Sequence, residues 1–105
     1  MYDFKIAETK EFEKKIKKLD SKIYTKIKNI AYPQLKKNPF YGTNIKKLKG
    51  EYEGVYRYRI GNYRIFYVID NDKIIVVVTT ISHRQNAYWQ ITKLRREQVT
   101  PTSFW

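Results

Sequence analysis

Cysteine is absent from the 105 residues, and histidine occurs once, at position 83. The first absence removes disulfides and thiolate metal sites together. The second would leave any zinc centre resting on carboxylates, so neither metal nor other cofactor is expected. Long apolar runs are missing as well. The longest, Ile74-Ile75-Val76-Val77-Val78, falls far short of the roughly 20 residues that a membrane helix requires. The opening Met1-Tyr2-Asp3-Phe4-Lys5 mixes polar and aromatic residues and does not read as a signal peptide. These absences place the expected site of action in the cytoplasm, away from membranes. Acid is in short supply too: ten Asp and Glu stand against 22 Lys and Arg, a net charge of +12.

What is present suits one small domain. About a hundred residues support a single modest core, and 42% hydrophobic with 16% aromatic residues is enough to fill it and too much for a disordered chain. A domain this basic attracts polyanions, of which nucleic acid is the commonest. The excess is concentrated: between Lys36 and Arg64, Lys36, Lys37, Lys46, Lys47, Lys49, Arg57, Arg59 and Arg64 face only Glu51 and Glu53.

Tyr2, Phe4 and Ile6 alternate with Asp3 and Lys5, the period of a half-buried strand. From about Glu8, apolar residues recur at three- and four-residue steps (Phe12, Ile16, Leu19, Ile23, Ile27, Ile30, Ala31), an amphipathic helical pattern. Asp20-Ser21 offers an N-cap inside it, so two helices are predicted, over 8–19 and 21–37. Asn38-Pro39 ends the second. Three strands follow over 55–60, 63–69 and 73–81, joined by the turns Gly61-Asn62 and Asp70-Asn71-Asp72. The run Ile74–Val78 predicts a central strand buried on both faces. A short helix is predicted over 86–97, capped by Asn86. No linker or internal repeat interrupts the chain. The expected fold is α+β, with two N-terminal helices packed on one face of a small, mainly antiparallel four-stranded sheet (β-α-α-β-β-β and a short C-terminal helix). A single domain spans 1–97, and 98–105 form a flexible tail.

Alternation along Val55–Ile60 puts Arg57 and Arg59 on one face and Tyr56, Tyr58 and Ile60 on the other. The hairpin brings Arg64 close to Arg59. Three guanidinium groups on an open sheet face repel one another unless an anion sits between them, and the planar fork of arginine suits phosphate oxygens. The structural alternative pairs them with Glu51, Glu53 or Asp72. Lys46, Lys47 and Lys49 extend the basic stretch as RNA-binding candidates. His83, Arg84 and Tyr88 gather near the end of the last strand, although a lone histidine there is as readily structural. Cleavage of RNA by its own 2′-oxygen needs a base, an acid and cations, and no metal. Tyr56, Tyr58, Tyr63 and Tyr67 read as packing residues, whereas Tyr88 is the better stacking candidate.

The set Lys47-Leu48-Lys49-Gly50, Tyr56-Arg57-Tyr58-Arg59-Ile60-Gly61-Asn62-Tyr63-Arg64-Ile65-Phe66-Tyr67 and His83-Arg84-Gln85-Asn86-Ala87-Tyr88 resembles the RelE/ParE toxin superfamily, and most of all its RelE branch, over about residues 2–89. The resemblance implies a type II toxin: a ribosome-dependent, metal-independent mRNA endonuclease that cuts in the A site. It implies a cognate acidic antitoxin as partner, with any oligomer formed through it. It implies catalytic roles for Arg57 and Arg59, a phosphate grip for Arg64, an essential Arg84, and a stacking or acid–base role for Tyr88. RelE carries lysines at the positions of Arg57 and Arg59, and arginine is a poor proton acceptor. His83 is therefore an added candidate for general base or acid. Some relatives carry a glutamate at the position of Lys46, so that role has no counterpart here. A ParE-like inhibitor of DNA gyrase without nuclease activity is the alternative function, and an RNA-binding module without chemistry a third.

Overall fold

The computed structural model describes residues 3–83 and 101–104. The chain begins with β1 (Lys5–Thr9), then α1 (Lys10–Lys17) and a second helical stretch over 21–37. That stretch comprises α2 (Ser21–Lys26), a π turn (Ile27–Ala31) and α3 (Tyr32–Lys37). β2 (Ile45–Lys47), a 3-10 turn (Gly50–Tyr52), β3 (Tyr56–Ile60), β4 (Tyr63–Asp70), β5 (Ile75–His83) and β6 (Pro101–Phe104) follow. The strands form one sheet in the order β2-β3-β4-β5-β1-β6. β5 pairs with β1 in parallel and with β4 antiparallel, so the apolar run is central as expected.

The sheet has six strands rather than the four predicted. β2 pairs with β3, and residues 101–104, predicted as a flexible tail, pair antiparallel with β1. The predicted helix over 86–97 lies outside the described residues. Among the described residues, no helix is long and apolar enough to cross a membrane.

β1 sits three residues later than its alternation suggested, because Glu8 and Thr9 are buried strand residues. Thr9 does two jobs at this junction. Its hydroxyl donates to the Thr79 carbonyl at 2.6 Å and accepts from the Phe12 N–H at 3.2 Å, capping α1. Glu11 and Glu13 in the first turn of α1, and Lys14, Lys15 and Lys17 in its last, match the helix dipole. Asp20 caps α2 through the Lys22 N–H at 2.9 Å.

Pro33 explains the π turn. It lacks the N–H that a regular helix would use, and its ring crowds the preceding turn. The chain widens before it, and Tyr32 N–H bonds to the Ile27 carbonyl, five residues back. One extra residue in the turn also brings Tyr24 and Tyr32 over the same point of β1. Tyr32 donates to the buried Glu8 carboxylate at 2.6 Å, and Tyr24 donates to its two oxygens at 2.9 and 3.1 Å. Burial, with the Glu8 charge second, pushes the Tyr32 hydroxyl far above its ordinary range.

Phe12, Ile16, Ile27, Ala31, Tyr32 and Leu35 from the helices pack against Tyr56, Tyr58, Ile65, Tyr67, Val76 and Val78 of the sheet. Each large side chain so buried contributes about 1.5–3 kcal/mol. The sheet tyrosines are packing residues, as their alternation indicates. Tyr58 donates to Gln34 at 2.8 Å and Tyr67 to the Pro39 carbonyl at 2.7 Å, while Tyr56 and Tyr67 stack at 5.5 Å. On the opposite face a second small cluster joins Leu48, Val55 and Phe66, with Tyr52 and Val68 against it.

Candidate active site

The basic face is built by the β3–β4 hairpin. Gly61, with φ of 58°, takes the left-handed position of the two-residue turn, which fixes the strand register without a Cβ penalty. Arg59 then lies directly opposite Arg64, and Arg57 opposite Phe66. β2 adds Lys46 opposite Arg57, and β5 adds Ser82 opposite Arg64. Lys46, Arg57, Arg59 and Arg64 thus share the sheet face away from the helices. Like charges placed directly across a ladder destabilise it by a few tenths to about 1 kcal/mol. Arg64 is partly restrained by its own turn, donating to the carbonyls of Tyr63 at 3.0 Å and Gly61 at 3.3 Å. Arg59 is exposed.

His83 does not join them. Val76 and Val78 face the helices, and strict alternation would have sent residue 83 to the arginine face. A bulge intervenes: Phe66 pairs with Thr80 and Tyr67 with Val78, leaving Thr79 as the extra residue. Its hydroxyl donates to the Phe66 carbonyl at 3.0 Å. Past the bulge the faces exchange, so Ile81 and His83 join the helix side and Ser82 the arginine side. His83 meets Tyr63 edge to face at 5.6 Å and lines, with Lys15, Lys18 and Leu19, a cleft of about 300 Å³.

Lys47 pairs with Tyr56, which directs it to the helix side, away from Lys46. Lys49 is exposed, just ahead of the 3-10 turn. Arg84 and Tyr88 lie outside the described residues. Sequence reasoning missed Ser82, whose position on the arginine face depends on the bulge, and Thr80, whose buried hydroxyl has no hydrogen-bond partner among the described residues. No sequence signal marks either. The face can hold an anion between opposed guanidinium groups.

A small basic α+β domain with this hairpin defines a class shared with known proteins. A family model described as the ParE toxin of type II toxin–antitoxin systems, parDE, matches residues 6–88. The chain belongs to the RelE/ParE toxin superfamily of type II toxin–antitoxin systems. It is 49% identical over 45 residues to a Methanocaldococcus jannaschii protein designated toxin RelE1, a match that covers 43% of this chain and 49% of that protein. The matched stretch thus spans about half the length of that relative. The toxin–antitoxin complex RelBE2 of Mycobacterium tuberculosis contains a similar chain, with a TM-score of 0.70 and 27% identity, covering 80% of this chain and 94% of that one. The RelB–RelE complex from Methanococcus jannaschii gives a TM-score of 0.63 and 30% identity, covering 80% and 96%. Free Escherichia coli RelE, as a double mutant, shares the fold at a TM-score of 0.72 and 20% identity, covering 93% and 100%.

Proposed function

We propose that this toxin is a ribosome-dependent mRNA endonuclease acting in the cytoplasmic A site. The observation that carries the reading is the direct opposition of Arg59 and Arg64, flanked by Arg57 and Lys46. An open face with this arrangement gains most when a phosphodiester lies across it. In the reaction the 2′-oxygen attacks the adjacent phosphorus and the bond to the 5′-oxygen breaks. The products are a 2′,3′-cyclic phosphate and a 5′-hydroxyl. Arg59 and Arg64 hold the non-bridging oxygens and offset the charge that builds on them. Arg57 and Lys46 position the flanking phosphate. Arg84 and Tyr88 complete the set through the family motif. With no strong base among the described cations, alignment of the 2′-oxygen by the ribosome supplies much of the acceleration.

The test is primer extension on translating ribosomes, with cuts expected in the A-site codon and negligible cleavage of naked transcript. Equal cleavage of both would overturn ribosome dependence. The matched family carries the ParE name, so a gyrase supercoiling assay belongs beside it. Inhibition of supercoiling without RNA cleavage would select the gyrase reading. Relatives solved as complexes with RelB support a cognate antitoxin, for which the +12 charge favours an acidic segment that orders on binding. Co-expression with that partner should relieve growth arrest.

A further inference from the structure

Beside the arginine face lies a second feature, which shares Arg59 and Arg64 with it. β2 pairs with β3 only as far as Tyr58, and a last bond from the Arg59 N–H to the Asn44 carbonyl at 2.9 Å closes that ladder. Beyond it a cleft of about 370 Å³ opens at the hairpin end, lined by Asn44, Arg59, Gly61 and Arg64 and bounded on the helix side by Ile30. Its size falls in the range of small-molecule sites, roughly 300–1,000 Å³. Ile30 is 54% exposed, one of two large hydrophobic residues that stand out among the described residues. It belongs to the π turn, and the helical segments on either side of that turn are tied to Glu8 through Tyr24 and Tyr32. The turn that precedes Pro33 therefore presents an aliphatic side chain to a cleft lined by Arg59, Arg64 and Asn44.

We propose that this cleft is a nucleotide subsite that reads one base next to the scissile phosphate. The phosphate lies on Arg59 and Arg64, the base packs against Ile30, and the Asn44 amide meets the base edge. An amide offers one donor group and one acceptor, the combination that base edges present in paired form. An apolar surface beside a basic one is the recurring arrangement for single-stranded bases. The proposal rests on the RNase reading for its place in a reaction, and it adds a source of sequence preference.

The test titrates the full-length protein with the four 5′-mononucleotides and, as control, ribose 5-phosphate, following the Ile30 methyl signal by NMR. Nucleotides should shift that signal saturably and bind about fivefold or more tightly than the sugar phosphate, the scale of one modest base contact. Ile30→Ser, at a site exposed enough to keep the fold, should remove the advantage. Asn44→Asp should reorder the four bases. Equal binding of ribose 5-phosphate, or an unaffected Ile30→Ser, would overturn the subsite. On translating ribosomes, Ile30→Ser should redistribute the cuts among codons. Cleavage with an unchanged distribution would reject the subsite while leaving the RNase reading intact. Base-dependent nucleotide binding without any cleavage would reject the RNase reading and uphold the subsite.

Discussion

His83 stands directly across the ladder from Tyr63, ring edge to ring face at 5.6 Å, on the side of the sheet opposite Arg64. A phosphodiester held between Arg59 and Arg64 lies on the other face of the sheet from His83. His83→Gln should therefore leave ribosomal cleavage within about threefold of the parent, without removing an inflection from the pH profile. Loss of a true acid–base group usually costs 10²–10⁴-fold, so a fall of about that size would return His83 to the reaction.

Arg59 and Arg64 should show a trade between stability and activity. Arg59→Gln removes one of two opposed charges and should raise the melting temperature by about 1 °C or more, as relief of a cross-strand repulsion predicts. The same change should cut single-turnover cleavage on the order of a hundredfold, the usual loss for one preorganised charge contact. Arg64→Lys should retain more activity than Arg64→Ala but less than the parent, because a point charge cannot reproduce the planar fork. A destabilised Arg59→Gln would show that the pair is already compensated.

Alkaline titration should expose the buried tyrosines. The hydroxyls of Tyr32 and Tyr67 are raised, first by burial and then by neighbouring charges: Glu8 for Tyr32, Tyr56 and Tyr58 for Tyr67. In the unfolded chain a tyrosine loses its proton near pH 10. Above that pH the unfolded state binds fewer protons than the folded one, so stability falls as pH rises. Denaturant midpoints measured from about pH 8 to pH 11 should decline at the top of that window. The decline should be shallower in Tyr32→Phe and Tyr67→Phe. A flat profile would show that these hydroxyls ionise as freely folded as unfolded.

The buried carboxylate of Glu8 tests how the helices are tied to the sheet. Glu8→Gln keeps the volume but offers one acceptor oxygen to two tyrosine hydroxyls. An unfolding loss of about 1–3 kcal/mol is expected, from polar groups left unmatched in the interior. Glu8→Gln as stable as the parent would mean that water or rotation of Tyr24 satisfies the site.

Much of this architecture could be read from local signals. The hairpin carrying the arginines announces itself through Gly61-Asn62 between alternating strands, and Asp20 marks the break between the helices. Both depend on residues close in sequence. The discrepancies arise where distant residues decide. Glu8 is a strand residue because tyrosines 16 and 24 positions away satisfy its carboxylate. β2 is three residues long and ends in two lysines, and residues 101–104 begin at proline, so neither carries an apolar alternation. The side taken by His83 turns on one unpaired residue, Thr79, inside an otherwise uniform β-branched run. Period-two reasoning cannot detect a bulge there, and every assignment downstream of it changes face.

The widened turn at Ile27–Ala31 makes chain length a constrained quantity in its own right. In an unbroken α-helix, eight residues would leave Tyr32 about 80° around the axis from Tyr24, whereas seven would leave about 20°. The π turn lets eight behave as seven. Deleting Asn29, an exposed residue, would remove no packed side chain, yet it would force a choice. Either the helix regularises, with Ile30 taking a new direction, or the two phenols fall out of phase over the same carboxylate. Substitution of Asn29 should leave the fold intact, while its deletion should move either Ile30 or the tyrosine pair.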